Sequence, residues 1–320
     1  MSLEVLDTGV LSLLQDRGRF GMHRIGLTNG GPIDSEAFGY CNRLLSNKHN
    51  CTALEISYGG SRFRANVDTY ICVTGAETPL TINGKERPLW AVHPIAAGDE
   101  IALDFAVRGT RSYLGVADGF HIAPSFGSTA TVMRENVGGL RGEKLQVGDV
   151  LPCASTSQRK RYYLPAERQP HYQDRVTVRV IPGYQQAHFS RLEQRRFFSH
   201  GYTVSERCDR MGYRLEGPAI NCDIDGILSE GICFGAIQIP ADGQPIVLLN
   251  DRQTIGGYPK IGSALSLDAS RLSQLRPGST VNFAPITPHG AHNALHLAQV
   301  VLDRSLNLTR TCLRPNSPVN

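Results

Sequence analysis

Glycine and proline set the first limit on this fold. The 320-residue chain carries 33 glycines and 18 prolines, one such residue about every six positions. Both residues break helices, so long bundles and coiled coils are excluded. Many short strands joined by tight turns are favoured. Hydrophobic residues make up 41% and charged residues 19%, enough apolar material for real cores. The length suggests about two domains.

Charge narrows the class further. Thirty-three basic against 29 acidic residues leave a net charge of +4. The excess is spread along the chain, unlike the concentrated patch of a nucleic-acid binder. The densest runs, Arg159-Lys160-Arg161 and Arg195-Arg196, read as solvated surface. No apolar stretch approaches the roughly 18 residues of a membrane span. The N-terminus lacks the basic start and apolar core of a signal peptide, so a cytoplasmic protein is expected. Eight cysteines at scattered spacings include no C-x-x-C pair. Most are expected to be small buried hydrophobes rather than disulfides.

The pattern along the chain is short and β-rich. One helix is expected from Asp34, with Ala37, Phe38, Cys41, Leu44 and Leu45 on one face and Asn47 as a stop. Strands are expected over residues 69–74, 80–82, 100–107 and 111–116. Asn83-Gly84 suits a type I′ hairpin. Ile101, Leu103 and Phe105 are expected to share a face. Residues 152–174 are polar and basic and read as a linker. The expected division is therefore an N-terminal domain over 1–165 and a C-terminal one over 166–320. In the second half, strands are expected at 176–180, 202–205, 213–216, 233–239, 246–249 and 280–283. Helices are expected over 268–275 and 291–303. Gly98-Asp99, Gly148-Asp149 and Pro277-Gly278 each place a turn before apolar residues, a faint echo between the halves.

Familiar chemical motifs are absent from the sequence: no P-loop, dinucleotide fingerprint, G-x-S-x-G elbow or H-E-x-x-H. No Met-Lys-Met hairpin is present, so no covalent biotin is expected here. His289, His292 and His296 fall on one helical face, but no carboxylate is interleaved, and no metal site is expected.

Three polar segments are more informative. Gln15-Asp16-Arg17-Gly18-Arg19-Phe20-Gly21 allows Asp16 to brace Arg19, or its arginines to meet an anion. In Asp209-Arg210-Met211-Gly212-Tyr213-Arg214, an extended backbone would put Arg210 and Arg214 on one face. Asp251-Arg252-Gln253-Thr254-Ile255-Gly256-Gly257-Tyr258-Pro259-Lys260 follows an apolar strand. It combines an acid, an amide, a hydroxyl, a phenol and a cation with two glycines whose N–H groups can approach a ligand.

Together with G-P-I-D-S-E-A-F-x-x-x-N-x-L-x-x-N, these segments, as Q-D-x-G-R-x-G, D-R-M-G-Y-R-L-E-G and D-x-Q-T-I-G-G-Y-P-K, resemble the KipA family. That family includes the C subunit of bacterial 5-oxoprolinase and is similar to part of the urea carboxylase carboxyltransferase domain. The resemblance runs from about Val5 to Phe283. It implies a mainly β fold of two tandem cyclophilin-like β-barrels with a few short helices. It also implies a KipI-like partner, corresponding to the 5-oxoprolinase B subunit, and a third component, the 5-oxoprolinase A subunit. Such a complex opens 5-oxo-L-proline to L-glutamate with ATP, for which Mg is the expected companion ion.

On this reading Arg210 or Arg214 would hold the lactam or its carboxylate. Gly256 and Gly257 would steady developing charge, Lys260 would neutralise phosphate, and Asp251 or Asp209 would handle a proton. Gln253, Thr254, Tyr258, Gln15, Asp16 and Arg19 would complete the binding site. Two alternatives remain open. One is carboxyl transfer from a separately carried carboxybiotin to urea or a related amide. The other is non-enzymatic binding of a KipI-like kinase inhibitor. The sequence departs from the family pattern at Cys208, at Gly127-Ser128-Thr129-Ala130-Thr131 and at Asp118-Gly119.

Overall fold

The computed structural model describes residues 1–157, 160–224 and 226–304. Arg159 of the basic run, Cys312 and the last sixteen positions of the expected second domain lie outside the described residues. The chain forms two compact units. Among the described residues, one comprises Met1–Gly18, Ser35–His171 and Gln299–Arg304; the other comprises Arg19–Asp34 and Tyr172–Ala298. The expected division lies at 165/166. The compact units part between His171 and Tyr172, and the early segment Arg19–Asp34 counts with the second.

The first unit contains two antiparallel sheets. Six strands run in the order Val150–Pro152, Ser2–Thr8, Ser61–Ala65, Glu100–Leu103, Leu80–Ile82, Lys85–Arg87. Five run in the order Leu11–Gln15, Ala53–Ser57, Arg108–Val116, Thr69–Glu77, Val92–Ile95. Val5, Phe63 and Ile101 from the first meet Leu14, Leu54, Val73 and Leu114 from the second in one core. Helix α1, Ser35–Leu44, packs on the strands 69–77 and 108–116. Gly115 permits that approach, because a Cβ there would lie 2.7 Å from Cys41 Sγ. Asn83 and Gly84 both have positive φ, 51° and 70°, as the hairpin turn demands. The strand beginning at Glu100 ends at Leu103, so Phe105 does not join Ile101 and Leu103; it is 62% exposed. Hydrogen bonds from Asp104 N to Pro79 O and from Gly60 N to Asp104 O end the alternation there.

The second unit holds a closed seven-stranded barrel. Its order is Arg175–Pro182, Lys260–Ala264, Ala236–Gln238, Ile246–Leu248, Gly212–Glu216, Gly201–Cys208, Thr280–Pro285. The parallel pairing of Arg175–Pro182 with Thr280–Pro285 closes it. Val178, Val180, Leu215, Ile237, Val247, Ile261 and Phe283 fill its centre. Helix α2, Arg191–Ser199, packs on the strand Thr280–Pro285, with Phe197 stacked on Phe283 at 4.3 Å between centroids. The sequence reading missed α2, although Ser190 caps it by accepting from Glu193 N. Ser190-Arg191-Leu192-Glu193 is an S-x-x-E capping signature. Helix α3, Ser266–Leu272, is tied to the barrel by a two-point pair between Asp268 and Arg179 at 2.7 and 2.8 Å. Helix α4 spans Pro288–Arg304.

The mainly β class therefore holds, with four α-helices and one closed barrel among the described residues. Among the described residues of 153–174 the regular structure is the 3₁₀ turn Ala166–Arg168 and single bridges at Cys153 and Tyr163. Of the seven described cysteines, three are buried, three half-buried and one, Cys233, exposed. The expectation of mostly buried thiols thus holds only for Cys41, Cys72 and Cys153. No described helix is long and apolar enough to cross a membrane.

Candidate functional site

The barrel strands alternate, and the alternation builds a second layer outside the core. Ile237, Val247 and Ile261 point inward. Their neighbours Gln238, Ile246 and Lys260 therefore share the opposite face, and cross-strand register places Gln238 beside both Ile246 and Lys260. Ile232, Ala236, Ile246 and Leu248 form a small apolar cluster of their own.

The segment carrying the glycine pair folds over this layer. Ile255–Gly256 pairs with Glu230–Gly231 in a two-residue ladder outside the barrel. Flanking bonds extend it, from Ile227 N to Gly257 O at 2.8 Å and from Ile232 N to Thr254 O at 3.0 Å. Gly256 is pressed against the layer beneath: a Cβ there would lie 2.5 Å from Ile232 Cδ1, 3.1 Å from Gln238 Nε2 and 3.6 Å from Gln253 Nε2. Gly257 is equally tight, its Cβ position 2.9 Å from Ile227 O. Close backbone packing thus favours glycine at 257, whereas at 256 the crowding atoms are side-chain ends.

Lys260 closes the group. Its Nζ pairs with Glu230, whose Oε1 also accepts from Gln185 Nε2 at 2.9 Å. The hydrogen bond from Lys260, helped by Gln185, holds the Glu230 carboxyl below its ordinary range. Arg252 anchors the segment from below, donating Nε to Ile232 O at 3.0 Å and Nη1 to Leu249 O at 3.1 Å. Burial lowers the pKa of that guanidinium. Tyr258 and Ile255 are exposed at the surface, and Leu228 is 94% exposed.

Five expected site residues, Gln253, Thr254, Gly256, Gly257 and Lys260, are therefore brought together, with exposed Tyr258 on the same segment. Sequence reasoning missed Glu230, Gln185 and Gln238. Glu230 lies in a strand of only two residues and Gln238 in an apolar strand, so neither carries a local signal.

The Asp209–Arg214 segment differs from expectation. Arg210 is 5% exposed and donates Nε and Nη2 to Asp251 at 2.8 and 2.9 Å, with Nη2 also reaching Gly31 O at 2.8 Å. Arg214 is exposed on the strand Gly212–Glu216. It lines an open depression of about 310 Å³ with Glu206, Arg207, Glu216 and Asp242. The two arginines do not share a face, because Asp209 makes a turn. Its Oδ1 accepts from Met211 N at 2.7 Å and Gly212 N at 3.2 Å, which takes Arg210 out of the extended backbone. Asp209 is thus engaged in a turn and Asp251 in a buried ion pair.

The N-terminal motif is divided between the units. Asp16 is buried and accepts from Ser128 Oγ, from Thr129 N at 3.0 Å and from Gly18 N at 2.9 Å. The carboxylate expected to brace Arg19 thus holds the Gly127–Thr131 run. Gln15 donates Nε2 to Thr131 O at 3.0 Å. Arg19 belongs to the second unit, is buried, and exchanges backbone and side-chain bonds with Asn29 at 2.8 Å each. His289, His292 and His296 all lie exposed on α4.

Residues 25–285 match the model of the carboxyltransferase domain, subdomains A and B. The chain belongs to this family. The matched span of this carboxyltransferase-domain protein contains the whole Gly256–Lys260 cluster and the Arg210–Asp251 pair; Gln15, Asp16 and Arg19 precede it. Among its relatives, the 5-oxoprolinase C subunit of Haemophilus influenzae is 32% identical over 94% of this chain and 97% of its own length. The protein of the same name from Escherichia coli is 34% identical over 88% and 90%. The solved K. lactis urea amidolyase aligns with a TM-score of 0.89 at 25% identity, covering 99% of this chain and 20% of the larger protein.

Proposed function

We propose that this carboxyltransferase-domain chain is one subunit of an ATP-dependent 5-oxoprolinase, opening 5-oxo-L-proline to L-glutamate. The observation that carries the reading is end-to-end similarity to two proteins named as the C subunit of 5-oxoprolinase, above 30% identity over nearly their full length. The reading gives the chain the A and B subunits as partners in the complex, the latter KipI-like. A lactam resists hydrolysis because amide resonance stabilises it. Transfer of phosphate from ATP, with Mg, to the lactam oxygen would make the ring carbon a better electrophile. ATP is assigned to the complex as a whole.

Within this chain, Lys260 supplies positive charge beside the lactam, with Glu230 and Gln185 fixing the position of its ammonium. The Gly256-Gly257 segment brings its backbone close to the ring, as a site for developing negative charge requires. Arg210 and Asp251 act by holding the segment that begins at Asn250: Asn250 donates to Gly30 O and Pro32 O, and Arg210 to Gly31 O. Arg214 is set aside as a carboxylate ligand of this cluster.

The test is glutamate formed from 5-oxoproline and ATP by the chain co-expressed with its A and B subunits. Glutamate and stoichiometric phosphate release are expected, and Lys260→Ala is expected to abolish both. Full activity in Lys260→Ala would remove the cluster from the mechanism. A second reading, carboxyl transfer to urea or another amide, draws on the urea amidolyase fold match. It requires a separate biotin carrier. Bicarbonate-dependent carboxylation of urea, with no glutamate from 5-oxoproline, would favour it.

A further inference from the structure

One buried amide in the site is left unpaired. Gln238 is 1% exposed, and its Nε2 has no hydrogen-bond partner among the described residues. Buried amide nitrogens are almost always satisfied, and leaving one unpaired works against folding. Ala236 and Ile246, which share the face of Gln238, are apolar and buried, so an apolar residue at 238 would suit that layer.

The orphan amide also points somewhere definite. Gln238 Nε2 and Gln253 Nε2 lie 3.1 and 3.6 Å from the position a side chain on Gly256 would take. Two amide groups from different segments thus converge beside Gly256, on a space that Ile232 Cδ1, 2.5 Å from the same position, takes up. That atom is the far end of a side chain that a rotamer change moves aside. Lys260 stands across the ladder from Gln238. A neutral donor pair beside a cation suits a carbonyl oxygen that gains negative charge.

We propose that Gln238, together with Gln253, is the seat for the carbonyl oxygen of an amide substrate, entered when Ile232 swings away. The inference rests on the proposed amide-processing reading and adds a binding residue to it. Lactams and open amides such as urea present the same acceptor.

The test uses the chain assembled with its partner subunits, with 5-oxoproline and urea as separate probes in calorimetric titration and turnover. Gln238→Met keeps length and removes the donor; Gln238→Glu keeps shape and replaces the donor with an acceptor. Both are expected to weaken the bound amide at least tenfold, with KM rising more than kcat falls. Gln238→Met is expected to leave the melting temperature unchanged or raised, because it removes an unsatisfied group. An ordinary internal hydrogen bond would give the opposite stability change, and that result overturns the proposal. So does unchanged amide affinity in both variants. If wild type binds urea but not 5-oxoproline, and Gln238→Met loses urea, the seat stands and the 5-oxoprolinase reading falls. If wild type turns over 5-oxoproline and both variants match it, the reading stands and the seat falls. If neither amide binds wild type, both fall.

Discussion

At the scale of single residues, the same side-chain types have sharply different duties. Arg210 sits within the D-R-M-G-Y-R motif, yet its guanidinium is engaged by Asp251 and Gly31. Removing one partner of a buried pair strands the other charge. Arg210→Ala is expected to cost roughly 3–5 kcal/mol in chemical denaturation. Arg210→Met combined with Asp251→Leu should recover much of that loss, since neither charge then remains. A stable Arg210→Ala protein with weakened substrate binding would instead restore the ligand role read from the sequence.

Glu230 carries the pH prediction. Its carboxyl titrates below the ordinary value because the charged form is held by Lys260, then by Gln185. A depressed folded-state pKa contributes stability that is present above the unfolded value, about 4.3. That contribution is lost as pH falls through the lower folded value. In Lys260→Met, the Glu230 midpoint measured by carboxyl-carbon NMR is expected to rise toward the ordinary value. An unmoved midpoint would show that the pair is not what holds it down. The types and spacing of Lys260, Gln253 and the glycines were legible in sequence. Glu230, Gln185 and Gln238 were not, because their partners lie 30, 45 and about 20 positions away.

At the scale of elements, the short ladder of Glu230–Gly231 with Ile255–Gly256 is the part that bears on function. Two paired residues give little intrinsic stability, and the flanking bonds at Ile227 and Ile232, the Lys260–Glu230 pair and the seating of Gly256 together keep the ladder down. Gly256→Ala places a methyl 2.5 Å from Ile232 Cδ1. Because the ladder lies outside the barrel, the expected result is a large loss of turnover with a melting temperature near that of wild type. Hydrogen exchange should show faster exchange at Ile227 and Ile232 and no change in the barrel strands. A protein that melts early with barrel-wide exchange would mean that the ladder is part of the core. The hairpin at Asn83-Gly84 and the strand at 176–180 were readable, because turn chemistry and alternation are local signals. Helix α2 was also readable, through its Ser190 cap, but was missed because only Phe197 and Glu193 of its length are buried.

At the scale of the whole molecule, the second unit draws on chain from two places. Arg19–Asp34 supplies Gly30, Gly31 and Pro32 carbonyls to Asn250 and Arg210, and Asp34 Oδ2 accepts from Tyr172 OH and Gln274 Nε2. A fragment of residues 172–298 alone lacks all of these acceptors. It is expected to be poorly soluble or to melt well below the same fragment with Arg19–Asp34 joined by a linker. Equal melting temperatures would show that the early segment is dispensable.

The density of glycine and proline, with alternating apolar residues between them, determined by itself that the chain would be short-stranded and mainly β. Those signals act between neighbours in sequence, where backbone dihedrals and side-chain alternation are set. Tertiary structure alone decided that Arg210 pairs with Asp251 rather than standing beside Arg214, and that Asp16 serves Ser128 and Thr129. It alone brought Glu230, Gln238 and Gln253 around Gly256. Those outcomes depend on barrel closure and cross-strand register, which join residues that no local pattern links.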